Sequence, residues 1–318
     1  LSSKMEENNL AFEVLEAFYH HCFDREMHQL AIEQRKLSEH YYERMIAYVD
    51  LGMRSPADLQ EVKAQLQSDI YQETVKSSNC RLSLLTLKNL MNMKDLDTLS
   101  VVMAEEKIDT TAYPLTLNEI YSISESTLPE FQVMKMREKA SRKSLSVANG
   151  SFYPSIRMDF NMNTGYYDTE KNKFGGIVPF RKQLNDNMNK YIGVSVSLPL
   201  FAGLSRLGAV RKERLRLQQV QNENEQQRSS LYKEIHDTYL SFQAIIEECR
   251  LAEEQLSAAS ATWKESEEKW KEGMVSVFEL LEKRNRHIRA KAETVRTRLQ
   301  YRLKKRIMQF YREGAFLQ

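Results

Sequence analysis

Glu279 and Glu282 stand three residues apart where a helical pattern begins, a spacing that sets both carboxylates on one face. Asp58 and Glu61 repeat the relation earlier in the chain. Such pairs are candidate acidic sites; the plainer reading is an acid placed at the positive end of a helix. Other side chains capable of chemistry lack the company they need. His20, His21, His28 and His40 share one helical stretch, but no two are spaced i, i+4 and no acidic partner is placed to complete a ligand set. Cys22, Cys80 and Cys249 are odd in number and scattered singly inside helical patterns, which is neither a disulfide framework nor a metal site. No phosphate-binding glycine loop, HExxH or GxSxG occurs. With only 10 Gly and no strand–helix alternation to form a cleft, the sequence makes no case for an enzyme, a cofactor or a metal.

The carboxylates are positioned by two turns that repeat each other. Setting Gly52 on Gly273, an offset of 221 residues (273 − 52), matches Met53 with Met274, Ser55 with Ser276, Asp58 with Glu279, Leu59 with Leu280 and Glu61 with Glu282. Upstream, Leu30-Ala31 matches Leu251-Ala252 and Glu33-Gln34 matches Glu254-Gln255 without a gap. A repeat of this length implies two copies of one large unit. Glycine takes up the left-handed conformation that ends a helix, so Gly52 and Gly273 read as terminators. Ser55 and Ser276 then read as N-caps, with Asp58 and Glu279 at the third helical position, the capping-box arrangement. Pro56 suits the first turn. Each copy is thus a helical hairpin.

The first hairpin occupies residues 1–93, with one helix from about Asn9 to Asp50 and the return from Pro56 to about Met93. Residues 94–150 are shorter-grained: a brief strand at Thr98–Met103, a turn at Thr111–Pro114, and a helix from Pro129 to about Ala148 stopped by Asn149-Gly150. Within 151–203 the period becomes alternating. Ile156, Met158, Phe160 and Met162 point one way and polar residues the other; Lys190 to Phe201 repeats the pattern with Ile192, Val194, Val196 and Leu198. A polar external loop, 168–189, joins them. This is the pattern of a half-buried soluble hairpin or of a membrane barrel with a wet interior, and Tyr153, Tyr166, Tyr167 and Tyr191 would suit its aromatic girdles. Residues 204–318 form the second hairpin. Ile235, Phe242, Cys249, Leu256, Trp263 and Trp270 recur every seven residues, with Tyr239 and Ile246 between them, which is coiled-coil packing. From Ser205 to about Trp270 such a helix would span roughly 100 Å. The last helix runs to Arg312, with Gly314 as its stop.

Charge excludes little. The net charge of +2 implies no polyanionic partner for the whole chain. The last helix is basic between Lys283 and Arg306, which raises nucleic acid as a reading; pairing with Glu247, Glu248, Glu253, Glu254, Glu265, Glu267 and Glu268 of the partner helix is the other. No run reaches the roughly 18 apolar residues of a membrane-spanning helix.

The Gly-hydrophobic-x-Ser-x-x-acidic-Leu turn, present twice, resembles the periplasmic tip of TolC-type outer membrane efflux proteins. Leu128-Pro-Glu130 with Tyr153-Pro-Ser155 resembles that family's equatorial girdle, and Leu198-Pro-Leu-Phe-Ala-Gly203 its exit from barrel to helix. The resemblance implies a mainly α fold with a membrane β-hairpin: two long helical hairpins and one β-hairpin contributed to a homotrimer with an α-barrel and a 12-stranded β-barrel. Because the repeat places residue 1 inside a helix, it also implies a first β-hairpin upstream. It further implies an outer membrane exit duct of a tripartite efflux or type I secretion complex, projecting into the periplasm. Outer membrane lipid would surround the barrel, a periplasmic adaptor would dock at the tips (Gly52, Met53, Ser55, Gly273, Met274, Ser276), and an inner membrane transporter would act through the adaptor. Glu279 and Glu282, where the family has aspartates, would ring the periplasmic entrance as a cation-attracting constriction. Asp58 and Glu61 would serve as helix-start acids. The alternatives are a soluble elongated coiled-coil scaffold and a basic-helix nucleic-acid binder.

Overall fold

A computed structural model describes residues 2–94, 99–103, 115–198 and 204–314. Its elements are α1 (Ser2–Asp50), α2 (Pro56–Leu90), α3 (Leu117–Thr127), α4 (Pro129–Gly150), β1 (Ser155–Asn163), α5 (Phe180–Asp186), β2 (Asn189–Ser197), α6 (Ser205–Lys271) and α7 (Val277–Glu313). The chain divides into two compact units, residues 1–133 with 227–318, and residues 134–226.

In the first unit α1 and α2 form an antiparallel hairpin, and α7 packs against α1. The lower part of α6 meets α7 along a two-row seam. One row is the expected one, with Ile235, Phe242, Cys249 and Trp270 buried. The second row is Ile245, Ala252, Ala259 and Ser266, all buried, rather than the Tyr239 and Ile246 expected from bulk. A heptad core alternates steps of three and four, so the second position follows the first by three residues. Small residues there let α7 approach closely: Thr294 Oγ1 donates to the Ala252 carbonyl at 3.2 Å, and Phe242 stacks on Tyr301 with centroids 5.6 Å apart.

α3 was not foreseen, although its start carries a legible signal. Thr116 and Glu119 form a complete capping box. It packs against α7, where Ser124 Oγ donates to the Tyr311 carbonyl at 2.9 Å. Leu128 is extended (φ −70, ψ 133), as a residue before proline prefers, and Pro129 restarts the chain as α4. Residues 99–103 form no strand. Thr98, the turn at 111–114 and the 199–203 part of the barrel-exit motif lie outside the described residues.

In the second unit β1 and β2 pair antiparallel, Ser155 opposite Ser197 through Asn163 opposite Asn189. This register puts Ile156 beside Val196, Met158 beside Val194 and Phe160 beside Ile192, all on one face. That face is left uncovered by the described residues: Ile156 is 75% and Val196 67% exposed. Tyr191 falls on the other, polar face, opposite Asn161, so its ring does not join the apolar side. Its hydroxyl lies 2.4 Å from where a Cβ on residue 193 would stand, so Gly193 is the residue that leaves room for it.

The connection expected as a polar loop at 168–189 is folded. It contains α5 and an isolated bridge between Lys171 and Ile177. Gln183, buried, donates to the Tyr167 and Val178 carbonyls at 2.9 and 2.8 Å and accepts from the Tyr167 amide at 2.8 Å. A polar side chain has taken the organising role that hydrophobic periodicity looks for, which is why the segment reads as loop.

Candidate functional site

The two tips are built alike. Gly52 (φ +69) and Gly273 (φ +79) end their helices in the left-handed region, and open space surrounds both, so conformation rather than crowding requires glycine. At the first tip the Gly52 amide donates to Val49 at 2.9 Å and Met53 to Tyr48 at 2.8 Å; at the second, Gly273 donates to Trp270 at 3.0 Å and Met274 to Lys269 at 2.8 Å. These are the paired bonds of a Schellman motif, reproduced across the repeat. Ser55 and Ser276 are both extended and each accepts from the amide three residues on at 3.1 Å.

The tips differ in what the acid returns. Asp58 closes the capping box, accepting from the Ser55 amide at 3.2 Å. Glu279 makes no reciprocal bond to the Ser276 backbone, so the box expected there is half formed. Glu279 and Glu282 are both exposed at the start of α7, and Glu282 lies 3.5 Å from Arg286. Glu61 is exposed on α2. Leu51 and Met53 at one tip and Met274 and Phe278 at the other leave large apolar surface in solvent.

Beneath the tips Tyr41, Met45, Val62, Trp270, Val277 and Leu280 form a buried cluster joining both hairpins. Trp270 is its centre, 5.5 Å from the Tyr41 ring and 5.8 Å from Tyr48. Arg54 reaches across from the first tip, lying 6.0 Å over the Trp270 ring and donating to its carbonyl at 3.1 Å. Burial, then the Glu267 carboxylate that accepts from its hydroxyl at 3.0 Å, push the Tyr41 phenol above its ordinary range.

One turn further from the tip lies an ion pair that sequence reading missed. Arg284 of α7 is 0% exposed and donates to Asp69 of α2 at 2.7 Å and to the Gln34 carbonyl of α1 at 2.9 Å. Asp69 also accepts from Ser38 and, at 3.0 Å, from Gln65. The guanidinium keeps Nε and Nη1 without partners. A signal was present: Asp69 continues the stripe Val62, Leu66, and Arg284 continues Val277, Leu280, so opposite charges occupy core positions in both helices.

The other candidates resolve plainly. His20 has an acidic neighbour, Asp24, at 3.3 Å. Among the described residues no three His, Cys, Asp or Glu side chains converge as a metal site would require. Burial pushes the Cys22, Cys80 and Cys249 thiols up. Of the acids expected to face α7, Glu253 meets Arg298 at 3.0 Å and Glu248 meets Arg296 at 3.9 Å. Glu247, Glu254, Glu265 and Glu268 pair instead along α6 itself, because partners three or four residues away are already at hand. No described helix is long and apolar enough to cross a membrane.

The family described as Outer membrane efflux protein matches residues 121–306. Solved structures similar in fold include CusC, at 14% identity and a TM-score of 0.81, with 99% of this chain and 70% of that one aligned. The Campylobacter jejuni CmeC outer membrane channel aligns at 15% identity and a TM-score of 0.76, covering 96% and 62%. The open state of the Neisseria gonorrhoeae MtrE outer membrane channel aligns at 16% identity and 0.75, covering 96% and 65%. The chain therefore spans between 62% and 70% of the length of these three chains. No curated protein sequence matches it.

Proposed function

Because this chain belongs to the outer membrane efflux protein family, we propose that it serves as the passive exit duct of a tripartite efflux or type I secretion complex, a homotrimer whose tips meet a periplasmic adaptor. The duct performs no chemistry; the transporter behind the adaptor supplies the energy. The observation that carries the reading is the β1–β2 hairpin. Its apolar residues share one face and stand uncovered, and each strand is nine residues long, close to the roughly 9–11 that cross a bilayer at a tilt. Among the described residues each strand pairs only with the other, so closure in lipid calls for strands from further hairpins.

At the tips, Glu279 and Glu282 ring the entrance and attract cations. The half-formed cap favours this role, since the Glu279 carboxylate is not spent on its own helix, whereas Asp58 is. Exposed Leu51, Met53, Met274 and Phe278 give the adaptor apolar surface around both turns.

Single-channel conductance of the reconstituted oligomer tests the entrance. Multivalent cations block the wild type, and Glu279→Gln weakens the block more than Glu282→Gln, because Arg286 already offsets Glu282. Equal block in all three proteins refutes the assignment.

A further inference from the structure

The second unit holds a charge imbalance that the duct reading does not use. Residues 134–226 contain 16 Lys and Arg against 8 Asp and Glu, a net +8 in a chain whose total is +2. The excess is concentrated in the two helical segments that flank the strands. Residues 135–143 and 206–216 together carry ten basic residues and two acids, Glu138 and Glu213.

Their arrangement is directional. Lys135, Lys139, Arg142 and Lys143 follow the i, i+4, i+7, i+8 spacing of a single helix face, and all four are exposed. The buried face of α4, with Met134 and Ser141, is turned toward α6: Asn224 donates to the Met134 carbonyl at 3.2 Å and Gln221 to Glu138 at 3.0 Å. Those bonds set an antiparallel register that carries Arg211 and Arg214, both exposed, alongside the last turns of α4. Arg142 pairs with Glu138 at 2.7 Å; Lys135, Lys139 and Lys143 have no salt bridge among the described residues. Nothing in the fold asks for this density of like charge, which repels itself.

The strands say what lies next to it. α4 ends at Gly150 and β1 begins at Ser155, while β2 ends at Ser197 and α6 begins at Ser205. Lys143 therefore sits about 10 Å along the helix from the end of α4, and Arg211 about 9 Å from the start of α6. Measured from the helix ends that adjoin the strands, both lie within about one screening length at roughly 0.1 M salt, the range over which the field of a charged surface falls off. We propose that Arg142, Lys143 and Arg211 form a basic collar that binds the phosphate groups of anionic phospholipids in the periplasmic leaflet of the outer membrane, anchoring the barrel at a fixed depth. The inference rests on reading the hairpin as membrane-embedded. Lysine and arginine suit a phosphate diester, and basic side chains beside an anionic surface each strengthen attachment by roughly fivefold at low salt. Lys135, about 22 Å from the end of α4, lies beyond that range.

The test is partition of the full chain onto vesicles of phosphatidylcholine alone or with about one-third phosphatidylglycerol, with helical circular dichroism confirming that each variant folds. The wild type is expected to prefer anionic vesicles at least tenfold at about 0.1 M salt, and to lose the preference at about 1 M. Arg142→Gln/Lys143→Gln/Arg211→Gln abolishes the preference yet still binds neutral vesicles through the strands. Lys135→Gln keeps it, as does Lys291→Gln/Arg298→Gln, whose residues already face Glu33 and Glu253. Equal binding to both vesicles, or an unchanged triple variant, overturns the collar and leaves the membrane hairpin standing. Competition by soluble glycerol phosphate as strong as that by lipid overturns it in favour of an anion site facing water. Binding to neither vesicle refutes the membrane reading, and the collar with it.

Discussion

Breaking the Asp69–Arg284 pair gives the sharpest energetic test of how the two hairpins are held together. Both side chains are removed from water, Arg284 wholly and Asp69 to 6% exposure. Taking away one partner strands a buried charge, which costs about 3–5 kcal/mol, whereas replacing both with apolar residues of similar volume is close to neutral. The surroundings set an order within that range. In Arg284→Met, Asp69 keeps its bonds from Ser38 and Gln65, and two unpartnered guanidinium nitrogens disappear. In Asp69→Asn the guanidinium keeps its charge, its bond to the Gln34 carbonyl and both unpartnered nitrogens. Asp69→Asn is therefore the costlier change, near the top of the range, and Arg284→Met lies near the bottom. Asp69→Leu/Arg284→Met should return to within about 1–2 kcal/mol of the wild type, giving a coupling of several kcal/mol in a double-mutant cycle. Equilibrium urea denaturation followed by helical circular dichroism measures all of these. Single variants that each lose less than about 1 kcal/mol, or a double variant that loses the sum of the two, would refute the reasoning.

Three further outcomes follow from the tips and the buried imidazoles. Gly52→Ala and Gly273→Ala each force a left-handed φ on a side chain and should lower stability by about 1–2 kcal/mol despite the open space around them, with Asn milder; matching values at the two sites in a denaturation series would support the repeat. Ser55→Ala should cost more than Ser276→Ala, by about 1 kcal/mol, since both lose the bond from the third amide but only Ser55 Oγ also donates to the acid there, Asp58 at 3.0 Å. Burial depresses His21 and His287 below the usual imidazole range, with Arg25 acting in the same direction on His21 and with Lys291 and Lys264 on His287. The unfolded chain then binds more protons, so their contribution is complete above about pH 6.5 and is lost as pH falls through the depressed folded values. His287→Gln, which keeps a polar partner for Ser260, should flatten the denaturation midpoint between pH 7 and pH 5 relative to the wild type.

Much of the fold was legible because its signals are local or periodic. Gly52 and Gly273 announce their turns through backbone conformation, and alternation found both strands, the second read as Lys190 to Phe201 where β2 is Asn189–Ser197. Heptad spacing found one row of the α6 seam but not Ala252, Ala259 and Ser266, because small residues carry no hydrophobic signal while permitting the closest approach. Gln183 and the buried Asp69–Arg284 pair escaped for a related reason. A polar residue in the core is recognised only by its partners: those of Gln183 are backbone groups, which carry no sequence signal, and that of Arg284 lies 215 residues away at Asp69. The collar was hidden by averaging: a net charge of +2 conceals +8 and −6 in the two units. Glu279 and Glu282 could be picked out from spacing, but the broken reciprocity at Ser276 needed coordinates.

That broken reciprocity makes the repeat unequal in time rather than in shape. One extra bond of about 1 kcal/mol on the Ser55 amide reduces the population in which the first turn of α2 has opened by roughly fivefold relative to that of α7. The two copies share their turn geometry yet should exchange their amide protons at different rates, with Ser276 and its neighbours faster. The repeat has two ends alike in backbone, and one return hydrogen bond, made by Asp58 and not by Glu279, is enough to make the second the end that frays.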